Sequence, residues 1–428
     1  MNYSDELVRR SARVFTPALH LYYPIAVSKG QGTSVYDDDG KKYLDFSSGL
    51  AVLNIGHNHP RVVAAARRQM ENLIHTGGIY YNETTVAAAE KLVSITPEGL
   101  DMLFFSNSGA EAVEGAIKLA RYVTERQGII SFTRAFHGRT LGALSVTTSS
   151  AAYRRRYHPL LPSVYQVPYP YCFRCPYRQT SNHCDMCCIH ELEETLKYRI
   201  PGEETAAVLI EPFLGEGGYF PAPRAFLKAV RKLCDRHGIL LIFDEVQSGM
   251  GRTGCWFAAD HAGVAPDIMT VAKGIASGFP LSAVVARRAL MEKWPSGAHG
   301  TTFGGNPVSC AASIATIDAI TEEKLLGTAL ERGASLMERL GSTIGDHPLV
   351  GQIRGFGYMV GIEFVTCDGL PNGSACEKVL EQCLKRGLIL IGCGPERHVI
   401  RFIPPLNVSE EELETGLTAL EEGVSKLS

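Results

Sequence analysis

No stretch of this 428-residue chain approaches the roughly 18 consecutive apolar residues that cross a bilayer as a helix, so no membrane partner is expected. The opening residues, Met1-Asn-Tyr-Ser-Asp-Glu-Leu-Val-Arg-Arg10, lack the apolar core of a secretory leader, and the expected location is the cytoplasm. Neither sign of charge is in excess. The 42 Lys and Arg set against 45 Asp and Glu leave a net charge of −3, which gives no electrostatic footing for nucleic acid. Internal repeats and low-complexity tracts are missing too, which excludes solenoids and long disordered linkers.

What is present is an ordinary enzyme-like composition, 45% apolar and 20% charged, in a chain long enough for more than one domain. Cysteine is plentiful. Twelve would face many mispairings in an oxidising compartment, whereas in a reducing one they serve as thiols or metal ligands. Seven of them (Cys234, Cys255, Cys310, Cys367, Cys376, Cys383 and Cys393) are scattered and read as small buried hydrophobes. The other five cluster between Cys172 and Cys188.

Short β-branched runs alternate with helical patterns from about residue 60 to 310, the signature of a parallel sheet with crossover helices. The pattern predicts strands at 102–105, 129–133, 207–210, 239–243, 268–271 and 282–286. Helices are predicted at 60–74, 84–95, 110–125, 223–237 and 306–320. From about 325 the pattern changes: a helix over 326–341, strands in Tyr358-Met-Val-Gly-Ile-Glu-Phe-Val365 and Val399-Ile-Arg-Phe-Ile403, and a last helix after Ser409 whose first turn is Glu410-Glu-Glu412. The expected division is an N-terminal segment (1–55), with a hairpin around Asp37-Asp-Asp-Gly40, packing with a smaller α+β unit (323–428), and a larger unit (56–322) between them.

The most informative pair is Lys273 and Asp244. The run Asp267-Ile-Met-Thr-Val-Ala-Lys273-Gly274 delivers an amine to a glycine-rich turn, and Leu240-Leu-Ile-Phe-Asp244-Glu-Val-Gln247 delivers a carboxylate from a second buried run. Such a pair is suited to gripping one cofactor from two sides; with pyridoxal phosphate, Lys273 would form the Schiff base and Asp244 would keep the ring nitrogen protonated. Ser106-Asn-Ser108-Gly109-Ala110-Glu111 joins a strand to a helix, where free N–H groups make an anion site, although the same residues serve equally to cap a helix. Phe136-His-Gly-Arg139 offers an aromatic for a flat ring and an arginine for a carboxylate; alone it reads as a surface loop. Glu211-Pro-Phe-Leu-Gly-Glu216-Gly-Gly218 places carboxylates in a glycine-rich loop, and Arg401 follows an apolar strand that could bring it to Glu216.

Taken in this order, these segments, with Gly49-Leu-Ala-Val-Leu-Asn-Ile-Gly-His57, Ser248-Gly-Met-Gly-Arg-Thr-Gly254 and Thr301-Thr302-Phe-Gly-Gly-Asn-Pro307, resemble the class-III pyridoxal-phosphate aminotransferases from end to end. The resemblance implies fold type I, an α/β large domain with a mostly parallel seven-stranded sheet plus the smaller α+β domain, and pyridoxal 5'-phosphate as cofactor. It implies Lys273 as the Schiff-base amine and proton carrier, Asp244 at the pyridinium nitrogen, and Gln247 at the ring's phenolic oxygen. Phe136 would stack on the ring, and Ser108, Gly109 and Ala110 would hold the phosphate. Ala110 stands where relatives carry a hydroxyl, so only its N–H would serve. Thr302 would reach the phosphate of a neighbouring subunit, in a homodimer with shared active sites or a higher oligomer.

Within the family the sequence is most similar to 4-aminobutyrate aminotransferases. That implies Leu50 in the substrate pocket, Arg139 on the distal carboxylate of an ω-amino acid, and Arg401, released by Glu216, on the α-carboxylate of 2-oxoglutarate or glutamate. Acetylornithine and ornithine aminotransferases carry similar positions, and some family members are racemases or epimerases. A non-catalytic cofactor-binding protein fits poorly with Lys273, Asp244 and Gln247 together. For the cysteine cluster, Cys172/Cys175 and Cys184/Cys187, with Cys188 adjoining, have the pairing of a four-thiolate zinc knuckle. Because pyridoxal chemistry needs no metal, the expectation is no metal and a compact thiol-lined loop at the dimer surface, with structural zinc as the alternative.

Overall fold

The computed structural model describes residues 3–180 and 183–427. Its centre is a seven-stranded sheet in the order Met102–Ser106, Ser282–Ala286, Ile268–Val271, Leu240–Asp244, Thr205–Ile210, Gly128–Phe132, Val164–Val167. Ser282–Ala286 runs antiparallel to both neighbours, and the four ladders from Ile268–Val271 outward are parallel. This is the α/β, mostly parallel sheet of fold type I. Thr205–Ile210 and Gly128–Phe132 are buried at every residue, as strands covered on both faces must be.

Helix Gly109–Thr124 covers one face with Ala112, Val113, Ala116, Ile117 and Ala120, all packed in one cluster with Ile129, Leu209, Ile242 and Val284 from the sheet. Arg224–His237 buries Phe226, Leu227, Val230 and Leu233 against the larger cluster that includes Phe132, Ile210 and Phe243. Pro307–Glu322 is buried almost all round, which explains its run of Ala, Ser and Ile and its lack of an amphipathic stripe.

A second, antiparallel sheet is built from Val350–Phe356, Met359–Phe364, Val399–Phe402 and Ile391–Cys393. The N-terminal strands Val27–Gln31, Ser34–Asp37 and Lys42–Asp45 form a third sheet whose last member is Leu388–Ile389, paired parallel with Lys42–Asp45. The two ends of the chain therefore interlock. Strands expected at 268–271 and 282–286 occupy those residues. Elements not anticipated include strands Val164–Val167, Val350–Phe356 and Ile391–Cys393, helix Cys187–Tyr198, and helix Tyr3–Val14, which buries no residue. No helix among the described residues is long and apolar enough to cross a membrane.

Candidate active site

Loops leaving the carboxyl ends of the parallel strands enclose a cleft of about 380 Å³, where open α/β sheets place their ligands. Lys273 follows Ile268–Val271 and opens a 3-10 turn with φ of 49°, a left-handed conformation costly for a side chain and typical of functional positions. Gly274 makes that turn possible, because a Cβ there would lie 2.4 Å from Asn54 Nδ2. Burial, reinforced by the Arg401 charge, lowers the Lys273 amine from 10.5 to about 8. Across the cleft floor, strand register sets Asp244 opposite Thr270. Thr270 Oγ1 and the Val246 N–H both donate to Asp244 Oδ1 at 3.0 Å, and His137 Nδ1 lies 2.7 Å from Oδ2. Burial disfavours a charged His137, but the hydrogen bond to Asp244 prevails and raises its pKa.

Glu211 ties two loops together, accepting from the Phe136 N–H and the Gly215 N–H, each at 2.8 Å. Burial lifts its carboxyl to about 7. The start of helix Gly109–Thr124 forms a third wall. Ser108 Oγ accepts from the Glu111 N–H at 3.3 Å, leaving the first-turn N–H groups of Gly109 and Ala110 for an anion. Only glycine fits at 109, since a Cβ would meet Val246 Cγ1 at 2.8 Å. The cleft is lined by Ser108, Gly109, Ala110, Phe136, Glu216, Asp244, Gln247 and Lys273.

Two arginines flank it. Arg401, in strand Val399–Phe402 and 3% exposed, meets Glu216 at 3.0 Å and donates to the Gly392 carbonyl. Although burial opposes its charge, the Glu216 carboxylate holds Arg401 protonated beyond the ordinary arginine range. Tyr219, beneath Arg401, donates to Gln247 Oε1. Arg139 differs: its guanidinium lies 4.0 Å from the Tyr153 ring and 5.9 Å from the Phe136 ring, and among the described residues no carboxylate pairs with it.

Leu50 and Thr302 are not among the cleft's lining residues. Val52 lines the cleft, while Leu50 is 45% exposed and adopts φ of 67°. Thr302 is exposed, beside Thr301, whose hydroxyl accepts from Asn107.

Zinc is the alternative expectation for the cysteine cluster. Cys172, Cys175, Cys184, Cys187 and Cys188, its expected ligands, are free thiols. Among the described residues no three His, Cys, Asp or Glu side chains are grouped to hold a metal. Cys172 opens the 3-10 turn Cys172–Arg174 with Cys175 just past its end, whereas Cys187 and Cys188 begin helix Cys187–Tyr198, where successive side chains diverge by about 100°. The thiols of Cys172, Cys175, Cys184 and Cys188 nonetheless lie near enough to act on one another electrostatically.

Sequence reasoning missed His137, Glu211, Tyr153 and Tyr219. Their roles depend on contacts between distant segments, and only His137 and Glu211, inside motifs already singled out, gave any signal.

The class-III aminotransferase model matches residues 16–424. A probable 4-aminobutyrate aminotransferase of Bacillus subtilis is 38% identical over 92% of each chain. An acetylornithine aminotransferase of Methanocaldococcus jannaschii is 43% identical over 93% of each. A leucine/methionine racemase of Thermococcus litoralis is 38% identical over 98% of this chain and 95% of its own. Among solved structures, a Bacillus anthracis aminotransferase superposes over both full chains with a TM-score of 0.91 at 33% identity. An ornithine aminotransferase from Toxoplasma gondii, with pyridoxal phosphate at partial occupancy, aligns with a TM-score of 0.87 at 31% identity over 99% of this chain and 94% of its own. The chain belongs to the class-III aminotransferases, enzymes that use pyridoxal 5'-phosphate to act on amino and keto-acid substrates.

The cleft's chemistry fits that cofactor. A flat, anionic, basic-nitrogen ring finds an amine in Lys273, a carboxylate braced by His137 in Asp244, and free N–H groups at a helix start. Gly138, at φ of 127°, leaves room where a Cβ would stand 2.7 Å from that of Ala110.

Proposed function

We propose that the enzyme moves the amino group of an ω-amino acid, 4-aminobutyrate first among them, to 2-oxoglutarate in a ping-pong cycle. The observation that supports this most is the unlike state of the two arginines: Arg139 unpaired by any carboxylate among the described residues, Arg401 covered by Glu216. A donor with one distal carboxylate needs only Arg139. A dicarboxylate needs both, and its α-carboxylate takes Arg401 once Glu216 swings away.

In this reading Ser108, Gly109 and Ala110 hold the phosphate, Phe136 stacks on the ring, Gln247 meets its phenolic oxygen, and Asp244 keeps its nitrogen protonated. When bound, pyridoxal phosphate supplies an electron sink for the pair left on the substrate carbon. With the cofactor held, Lys273 Nζ would carry the proton released at the substrate's amine-bearing carbon, a role suited to an amine lowered to about 8. Leu50 and Val52 border the substrate's methylenes.

The working unit is a homodimer, with Thr302 at the partner's phosphate. Ile79, Tyr80, Tyr81 and Phe303 are 77%, 72%, 102% and 63% exposed in one chain, more apolar surface than a monomer ordinarily leaves bare. Twelve cysteines suit the reducing cytoplasm. The racemase reading, prompted by the Thermococcus relative, has no use for a second carboxylate site. Initial rates with 4-aminobutyrate and 2-oxoglutarate test the proposal. Glutamate formation with parallel double-reciprocal lines supports it, and no glutamate formed refutes it.

A further inference from the structure

Tyr153 stands between the two carboxylate sites, on the short helix Ala151–Arg154. One face of its ring carries the Arg139 guanidinium at 4.0 Å, and its edge meets Phe136 with centroids 5.9 Å apart at 81°. Its hydroxyl donates to Glu216 Oε1 at 3.2 Å, while the other oxygen of the same carboxylate holds Arg401. The two Glu216 oxygens are thus divided between a residue that must let go when a dicarboxylate binds and one that need not.

We propose that Tyr153 is a specificity-positioning residue that links the two arginines: its ring fixes Arg139, and its hydroxyl keeps hold of Glu216 when a substrate carboxylate displaces that residue from Arg401. This rests on the two-arginine reading above. A carboxylate driven from a buried arginine loses a charged partner, and a remaining hydrogen bond lowers the cost of that displacement. Burial and the Glu216 charge both raise the Tyr153 pKa, so the hydroxyl stays a donor at neutral pH.

The test compares wild type, Tyr153→Phe and Tyr153→Leu holoenzymes in single-turnover half-reactions with 4-aminobutyrate and with glutamate. Tyr153→Phe keeps the ring and loses the hydroxyl, so the ratio of half-saturating glutamate to half-saturating 4-aminobutyrate should rise about five- to tenfold. Tyr153→Leu also removes the support of Arg139, so half-saturation should rise for both substrates while the ratio stays as high as in Tyr153→Phe. A Tyr153→Phe enzyme that shifts both substrates equally, shifts neither, or loses its cofactor absorbance overturns the proposal. A wild type that reacts with only one of the two substrates, or with neither, overturns the two-arginine reading and this inference together. Reaction of wild type with both, at a ratio unchanged by Tyr153→Phe, overturns this inference alone.

Discussion

A lysine whose amine gives up its proton near pH 8 is ready to react where an ordinary lysine is still charged. Because the folded pKa lies below the usual 10.5, the neutral form predominates above about 8. Capture of pyridoxal phosphate by the cofactor-free protein, followed by absorbance, should accelerate as pH rises through about 8 and then level off; a midpoint near 10.5 would remove burial as the cause. Lys273→Ala should fold yet lose turnover by at least about a thousandfold, and near wild-type rates would remove Lys273 from the chemistry. Arg139→Ala should cost roughly a hundredfold in kcat/KM for 4-aminobutyrate but little for a simple ω-amine, and equal losses would take Arg139 out of recognition. Lys273 and Asp244 were legible because a charged residue ending an apolar run is conspicuous. His137, Glu211 and Tyr153 were not, because what marks them is a partner on a distant segment.

At the scale of elements, the loop carrying Glu216 is braced by a buried charge cluster. Arg354 donates to the Tyr219 carbonyl at 3.0 Å and pairs with Glu363 at 2.7 Å. Glu363, on strand Met359–Phe364 and inaccessible, also receives Arg174 at 2.8 Å from the cysteine-rich segment. Burial alone would raise the Glu363 carboxyl, but His398, Arg354, Tyr171 and Arg174 together pull it well below the ordinary range. With the folded pKa below the unfolded one, its stabilisation is complete above the unfolded value and fades as pH falls toward the folded one. Glu363→Gln should therefore cost about 3 kcal/mol near pH 7, with the gap to wild type in thermal melting narrowing below about pH 4. A gap independent of pH would show that shape, not charge, matters. Strands with unbroken apolar runs were legible. Val164–Val167 and Val350–Phe356 were not, since Gln166 in one and Gln352 and Arg354 in the other interrupt the pattern.

Over the whole molecule, the family resemblance implied the seven-stranded sheet that the strand pattern, with six strands in that region, fell short of. The helix Tyr3–Val14, which buries none of its residues in one chain, escaped a reading built on core-facing periodicity. Ile79, Tyr81 and Phe303 leave an exposed apolar surface, which the proposed homodimer would use. If the enzyme is the proposed homodimer, Tyr81→Glu should shift sedimentation from dimer toward monomer and weaken cofactor retention, because the Thr302 proposed at the neighbouring phosphate would be lost; an unaltered dimer would exclude this face from the interface. The central claim, that the donor is an ω-amino acid held by Arg139, is tested most directly by one half-reaction. Holoenzyme is given 4-aminobutyrate with no keto acid, and the cofactor absorbance is followed. Stoichiometric transfer of the amino group to the cofactor, with release of the matching aldehyde, is the predicted result. An unchanged spectrum, together with exchange of the Cα proton of an α-amino acid, would contradict it.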